Sequence, residues 1–202
     1  EVDTIVAQGC RPIGEPMQIT KCEETLLQEL EGKPPLEVLQ DLHETLSDSD
    51  KKLLQTSLFL GIEMDPMKDN PKQGDFLIRN LMGIDRESGG LAIGTLLRNG
   101  QLVQFHLRDK QMSAEDLDVM LTRYLKLGNA ENAKGALLFS CLGRGKHLYG
   151  KANHDTDMFH GKLGKIPLGG FFCNGEIGPV GNTTFLHGYT SSFGIFRSLA
   201  RG

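Results

Sequence analysis

The sequence predicts an α+β fold in which a largely antiparallel sheet, a meander, packs against amphipathic helices. Two apolar runs, residues 76–84 and 91–97, have the length and composition of strands. The pair Asn99-Gly100 follows them, and this dipeptide is the strongest short-range signal for a two-residue hairpin turn. A helical stripe of apolar residues then runs over 117–125. Strands joined by short turns and followed by a helix favour this fold class.

The first third of the chain is expected to combine strands with short helices. Tandem prolines fit the first turn of a helix, and a serine followed by acidic residues is typical of an N-cap. The expected elements are strands at 2–8 and 17–21 with a turn at 9–14, a helix opened by Pro34 and Pro35 with a leucine face (Leu36, Leu39, Leu42, Leu46), a second helix after Ser47, and a strand at 57–64. Residues 65–74 are expected to form an exposed polar loop.

The remaining elements follow from turn and cap signals. Counting outward from the Asn99-Gly100 turn pairs Leu96 with Val103. Ser113 is the expected N-cap of the next helix, with Asp116 in the reciprocal position of a capping box. We further expect a strand at 136–142, a short helix at about 156–162, and strands near 170–173 and 185–190.

Composition narrows the classes of function. The chain has 202 residues and a net charge of −4, without the basic run that a general nucleic-acid binder uses to follow phosphates. No apolar stretch approaches the roughly 20 residues that span a bilayer. These features are ordinary for a soluble globular protein. Because the chain begins at Glu1 with neither an initiator methionine nor a leader pattern, we expect a segment of a longer protein.

Four cysteines are scattered along the chain and none forms a Cys-x-x-Cys pair. Cys141 and Cys173 lie inside apolar, strand-like runs, which suits reduced, buried thiols. So few cysteines in a chain of this length do not indicate a disulfide framework. The sequence therefore favours a reducing compartment.

The candidate site lies where two glycine-rich strands end. Glycines on both sides of Arg144 expose backbone N–H groups beside a guanidinium, a combination that suits a carboxylate or a phosphate. Glu176 in the second run suits an amine ligand or an acceptor that holds the turn. The alternative for Arg144 is an internal ion pair with Glu176 or Asp155. The candidate ligand-binding residues are Gly143, Arg144, Gly145, Asp155, Asn174, Gly175 and Glu176.

Three other constellations are weaker. The spacing of His147, His154 and His160 matches neither a helical metal pair nor a zinc finger, so we expect exposed polar histidines and no metal site. A triad of Cys141 or Cys173 with His187 and Asp155 lacks a local cause for a lowered thiol pKa. The serines at 191 and 192 lack the Gly-x-Ser-x-Gly turn of a hydrolase.

Three strings carry a resemblance to a known family. Residues 139–145, 169–180 (which contain Gly-Glu-Ile-Gly-Pro) and 185–190 resemble the C-terminal FIST domain, and residues 2–14 look like the closing strands of the N-terminal FIST domain. The similarity is to cyanobacterial and plastid-lineage members. It implies two parts, with residues 1–32 ending an N-terminal FIST-like domain and residues 33–202 forming the C-terminal one.

The resemblance implies a non-catalytic, intracellular sensory module that binds a small ligand, such as an amino acid or a small carboxylate, and signals to a partner. The family offers no catalytic residues to transfer, and no cofactor is implied. Arg144 and Glu176 fall within the family-like strings, so they would contact the carboxylate and the ammonium of such a ligand. The implied compartment is the cytoplasm, or the plastid stroma in a photosynthetic eukaryote.

Two hypotheses follow from these residues. The first is the sensory module, whose partner is another protein or the rest of the N-terminal half. The second is a scaffold or interaction subunit of a larger complex, with the fold retained and no working ligand site. Neither hypothesis needs an enzyme, a nucleic acid or a membrane span.

Overall fold

The computed structural model describes residues 1–67, 71–128, 130–181 and 183–198. Within them the α+β prediction is confirmed. The elements in chain order are β1 (Val2–Ala7), β2 (Arg11–Glu23), β3 (Leu26–Leu30), α1 (Pro35–Thr45), α2 (Asp48–Leu54), β4 (Leu58–Glu63), β5 (Phe76–Asp85), β6 (Gly90–Ile93), β7 (Leu102–Leu107), α3 (Lys110–Lys126), β8 (Ala133–Cys141), α4 (Lys146–Tyr149), α5 (His154–Leu163), β9 (Leu168–Cys173), β10 (Glu176–Val180), β11 (Thr183–His187) and β12 (Ser191–Arg197).

The chain divides into two compact units. The barrel unit contains residues 10–108, and the sheet unit contains residues 1–9 together with those after 108. The boundary expected at residue 32 concerns family domains and stays a prediction, whereas these units divide the chain elsewhere. No helix in the described part of the chain is both long and apolar enough to cross a membrane.

In the barrel unit, six strands close on themselves in the order β2-β3-β6-β5-β4-β7. β4 and β7 are antiparallel neighbours, and their alternate residues Leu60, Val103 and Phe105 are fully buried. Neighbouring residues, including His106, are buried as well, so these two strands are covered on both faces. The short helices α1 and α2 form where predicted, and Ser47 caps α2 by accepting from the N–H of Asp50.

The hairpin predicted at Asn99-Gly100 is wrong, although a turn does form there. Gly100 has a φ of 85°, while Asn99 lacks the positive φ that a type I′ turn requires. β7 pairs with β2 and β4, so Val103 faces Met17 and not Leu96. The Asn99 side chain accepts from the N–H of Cys22 at 2.9 Å. Barrel closure places β2 beside β7, and that long-range pairing overrides the local signal.

The sheet unit contains a four-stranded sheet in the order β1-β12-β8-β9 and a ribbon of β10 and β11. Its pairs are antiparallel except β8 with β9, which run parallel. Helices α3 and α5 cover one face of the sheet. The buried core there consists of Ile5, Ala7, Leu117, Leu121, Tyr124, Ala136, Phe159, Phe193 and Ile195. The stripe predicted for α3 therefore packs against the sheet as expected.

The predicted cap of α3 is wrong because the helix begins one turn earlier. Asp109 is the N-cap and accepts from the N–H of Met112 at 2.7 Å. Ser113 and Asp116 instead hold Gly9: the Ser113 hydroxyl donates to its carbonyl at 3.0 Å, and Asp116 accepts from its N–H at 2.7 Å. Gly9 has a φ of 72°, and a Cβ there would lie 2.9 Å from the Ser113 hydroxyl oxygen. The cap-like pattern therefore serves a tertiary contact.

Several element boundaries differ from expectation. β2 begins at Arg11, so most of the turn expected at 9–14 is strand. The strand expected at 185–190 ends early, because β11 stops at His187 and the turn that follows contains Tyr189, which has a φ of 61°. β3, β10 and β12 were not predicted, since each is short or interrupted by glycine or proline. Part of the loop expected at 65–74, namely residues 68–70, lies outside the described residues.

Candidate functional site

A cleft of about 370 Å³ lies beside β8 and β9 in the sheet unit. Its walls come from strand residues and from the starts of α4 and α5. The lining residues are Leu138, Ser140, Gly145, Lys146, Ala152, Asn153, His154, Asp155, Thr156, Leu168, Gly169, Gly170, Phe171 and Phe172. Small-ligand sites are clefts of this kind, with apolar walls and a few convergent polar groups.

The floor of the cleft depends on close approach of β8 and β9. Gly170 pairs with Leu138, and a Cβ on Gly170 would lie 1.9 Å from the Leu138 carbonyl oxygen. Its φ of 155° also disfavours a side chain. Gly145 also lines the cleft, and a Cβ there would lie 2.7 Å from the Phe172 ring. Glycine at both positions therefore shapes the cleft.

A buried ion pair joins the lining residue Asp155 to Arg144, which lies behind the cleft. Arg144 is 1% exposed, and its Nε donates to the Asp155 carboxylate at 2.9 Å. Its other nitrogens donate to the Tyr149 hydroxyl at 2.6 Å and the Tyr189 carbonyl at 3.3 Å. Ser191 donates to the same carboxylate at 2.5 Å. Of the two internal partners considered for Arg144, the structure selects Asp155.

The charges of this pair stabilise each other against burial. Burial by itself raises the pKa of Asp155, but the Arg144 guanidinium and the hydroxyl of Ser191 outweigh it and hold that pKa at about 2. Burial also opposes the charge on Arg144, and Asp155 more than compensates, so the pKa of Arg144 is raised. Both groups are therefore charged at neutral pH.

His154 and Tyr149 complete this cluster. The His154 ring lies flat on the Tyr149 ring, with centroids 3.5 Å apart, and its Nδ1 is 2.9 Å from the Asp155 carboxylate. His154 is buried, so the expectation that it is an exposed polar histidine is wrong. Asn153, the N-cap of α5, has a φ of 60°, and its side chain makes no capping hydrogen bond.

Glu176 is buried on β10 and does not line the cleft. Its carboxylate accepts from the N–H groups of Thr190 and Gly175, each at 3.2 Å, and from the Cys173 thiol at 3.4 Å. These bonds hold the turn between β9 and β10 against the start of β12. Asn174 and Gly175 in that turn also lie outside the lining.

The structure brings together only part of the set predicted from sequence. Gly145 and Asp155 line the cleft, and Arg144 contacts Asp155 from behind it. Gly143 lies in the turn after β8, where its N–H donates to the Cys141 sulfur at 3.4 Å. Among the lining residues absent from the predicted set are Lys146, Asn153, Thr156, Ser140, Phe171 and Phe172. Lys146 directly follows the candidate Gly145, and Phe171 and Phe172 lie in the same glycine-rich string as Asn174, which was a usable signal; the other three carried none.

The histidines and cysteines of the weaker constellations make other contacts in the structure. His160 contacts the Ile166 carbonyl at 3.0 Å, and His187 contacts the Gly178 carbonyl at 2.9 Å. Burial, followed by the adjacent Glu176, raises the pKa of Cys173 to about 11, which is opposite to what a nucleophilic thiol needs. In this geometry Asp155 accepts hydrogen bonds from Arg144.

Comparison with known proteins gives the family. The family model named FIST C domain matches residues 35–179, and the one named FIST N domain matches residues 1–33. Two uncharacterised proteins, from Mycobacterium bovis and Mycobacterium tuberculosis, are each 41% identical over 192 residues, which is 95% of this chain and 50% of the relative. An F-box/LRR-repeat protein of Arabidopsis thaliana is 25% identical over 142 residues, 63% of this chain and 27% of that protein.

The chain spans about half the length of the mycobacterial relatives it matches. The expected similarity to cyanobacterial and plastid-lineage members stays a prediction. FIST domains are a sensory, non-catalytic domain type that binds small ligands. With a family model covering most of its residues, this chain belongs to the FIST-domain family.

Proposed function

We propose that this chain is a non-catalytic sensory module and that its ligand is a small carboxylate, such as an amino acid, held in the cleft beside β8 and β9. The observation that carries the proposal is one cleft that combines a lysine, a helix start and an exposed phenyl ring. Lys146 and the first turn of α5 face the same cavity as the Phe172 ring, whereas the Phe171 ring lies on the other face of the sheet against Phe139. Its volume of about 370 Å³ suits a ligand of amino-acid size.

The polar end of the cleft suits a carboxylate. The N–H groups at the start of α5 carry partial positive charge, and the Asn153 side chain does not cap them. Lys146 adds a full positive charge at the same end. The Asp155 carboxylate and the Ser140 hydroxyl are placed to receive an ammonium group, while the Phe172 ring covers the apolar part of the ligand.

In this proposal Arg144 acts through Asp155. Its guanidinium is enclosed by Asp155, Tyr149 and Tyr189, so it orients the carboxylate that lines the cleft. Direct ligand contacts by Arg144 and by Gly143, Asn174, Gly175 and Glu176 stay predictions. For Arg144, Gly143, Gly175 and Glu176, such a contact would require the internal hydrogen bonds described above to exchange for bonds to the ligand.

We place the module in the cytoplasm, where the four cysteines, which are thiols and not disulfides in the structure, would stay reduced. Ligand occupancy would be relayed to a protein partner. Neither the mycobacterial nor the plant relative supports the plastid alternative.

A second candidate function, an interaction subunit, is favoured by one observation. The face of the sheet opposite α3 and α5 exposes Val2, Leu137 and Phe196, with exposed fractions of 57%, 39% and 44%. Apolar side chains grouped on one sheet face are typical of a surface that another protein covers. For this function, Phe196→Ser would weaken partner binding without changing ligand affinity.

The ligand proposal is tested by a thermal-shift screen against amino acids and small carboxylates, followed by calorimetric titration of any hit. A ligand at about 100 times its Kd stabilises the fold by about 2.7 kcal/mol. Lys146→Met is expected to weaken the hit by about 10- to 100-fold, because it removes one charge-assisted bond. Lys151→Met is the matched control, since Lys151 is an exposed lysine outside the lining.

Two results would contradict the proposal. A screen in which no carboxylate stabilises the folded protein would favour the interaction subunit. A ligand that binds Lys146→Met as tightly as the unmodified protein would place the binding site elsewhere.

A further inference from the structure

Two of the four cysteines lie directly side by side. In the parallel pairing of β8 with β9, Cys141 is the register partner of Cys173. Neighbouring strands are about 4.8 Å apart, which falls within the Cα separation of about 4.4–6.8 Å that a disulfide spans. Because paired residues of adjacent strands project to the same side, both thiols lie on the face opposite Ser140 and Phe172, and hence opposite the cleft.

The two thiols differ in access. Cys173 is partly exposed, and its thiol donates to the Ser140 carbonyl at 3.6 Å and to Glu176 at 3.4 Å. Cys141 is buried beside it, and its sulfur accepts from the N–H of Gly143 at 3.4 Å. Both are free thiols in the structure. A small oxidant therefore reaches Cys173 first, with a second thiol already in place behind it.

We propose that Cys141 and Cys173 are a modification site at which hydrogen peroxide forms a disulfide between β8 and β9. In the first step the Cys173 thiol is oxidised to a sulfenic acid, and peroxide is reduced to one water. In the second step the Cys141 sulfur attacks the Cys173 sulfur, the S–S bond forms, and the sulfenic oxygen leaves as a second water. The inference does not depend on the ligand proposed above.

The groups around Cys173 set the rate at which it is oxidised. Burial and the Glu176 carboxylate raise the pKa of Cys173 to about 11, so little thiolate is present at neutral pH. Oxidation is therefore slow at pH 7, and its rate increases about tenfold per pH unit up to pH 9 as the thiolate fraction grows. The disulfide also removes the Cys173 thiol that donates to Glu176. The Glu176 carboxylate is the group that holds the turn between β9 and β10.

The test is peroxide treatment of the folded protein at pH 7, 8 and 9, followed by thiol counting after denaturation. The expected count falls from four thiols to two. Tryptic digestion without reductant is expected to release peptide 135–144 linked to peptide 166–197. Cys22→Ser is the matched control, because it removes one thiol and leaves the pair intact. In Cys141→Ser, dimedone is expected to trap the sulfenic acid at Cys173 and no linked peptide forms.

Three results would overturn the proposal. The count stays at four after prolonged treatment at pH 9, the linked peptides contain Cys10 or Cys22, or Cys173 proceeds to a sulfinic acid while Cys141 remains a free thiol. Mass spectrometry of the same digests distinguishes these outcomes.

Discussion

The two units of this chain bury polar groups in opposite ways. In the barrel unit, His106 is 1% exposed and packs against the Phe76 ring, and burial lowers its pKa to about 4. It is therefore neutral at physiological pH. In the sheet unit, Arg144 and Asp155 are equally enclosed but both charged, since each compensates the other. The barrel unit thus holds a neutral buried ring, and the sheet unit holds two buried side chains of opposite charge.

The barrel unit therefore contributes mainly to stability, and the sheet unit carries the polar groups of the candidate site. A closed barrel pairs its strands on both sides, and its buried side chains are mainly apolar. The open sheet places a paired charge, hydroxyls and helix starts beside a cleft. Buried ion pairs contribute little net stability compared with apolar packing, so their presence points to a demand of the site. We therefore expect that the substitutions which change ligand binding lie in the sheet unit.

The largest expected change in the free energy of unfolding comes from Arg144→Ala. Removing the guanidinium leaves Asp155 charged and buried without its partner, which costs about 3–5 kcal/mol of unfolding free energy. Urea denaturation followed by circular dichroism measures this loss. The double variant Arg144→Ala/Asp155→Ala is the control and is expected to recover part of it. A loss below about 1 kcal/mol in the single variant would show that the pair is not needed for folding.

Gly170→Ala is expected to have the next largest effect. The added methyl group meets the Leu138 carbonyl oxygen, and a φ of 155° adds backbone strain, so the expected cost is about 2–4 kcal/mol. Gly169→Ala is the matched control on the same strand. Its methyl group would meet only the Leu137 side chain, at 3.8 Å, and is expected to cost under about 1 kcal/mol. Equal melting temperatures for the two variants would contradict the close approach of β8 and β9.

The smallest expected effect concerns the pH dependence of the barrel unit. The folded pKa of His106 is about 4 against 6.5 for an unperturbed histidine, so between these values the unfolded state binds more protons. Stability due to His106 is thus present above pH 6.5 and is lost as the pH falls, by about 2 kcal/mol between pH 7 and pH 4.5.

The variant His106→Asn should lack this contribution, although its stability at pH 7 is lower. His43→Asn, at a half-exposed histidine of α1, should retain it. Urea titrations at pH 7 and pH 4.5 measure the difference. An identical pH dependence in His106→Asn and the unmodified protein would mean that His106 titrates normally in the folded barrel.

Local signals predicted the elements whose stabilising contacts are local. The leucine face of α1, the cap at Ser47 and the apolar stripe of α3 follow from helical periodicity and cap chemistry, and they form as expected. The Asn99-Gly100 hairpin failed because its strands find partners that are distant in sequence. Ser113 and Asp116 failed as a cap for the same reason, since Gly9 is the group they bind.

The candidate site shows the same division. Glycine-rich strand ends marked the correct region, and Gly145 and Asp155 do line the cleft. Asn153, Thr156 and Ser140 gave no signal, because each becomes a lining residue only when α5 begins beside β8. Whether Arg144 faced a ligand or an internal partner was open in the sequence, since the answer depends on where Asp155 lies in space.

By itself, the sequence determined the fold class, the family and the part of the chain where polar groups meet flexible backbone. Composition, periodicity and turn chemistry, which act over a few residues, gave the fold class and the region, and the resemblance of the glycine-rich strings gave the family. Only the tertiary structure decided barrel closure, the pairing of Arg144 with Asp155, and the placement of Cys141 beside Cys173. These depend on strand order and register, which are set by burial of distant side chains and not by any local pattern.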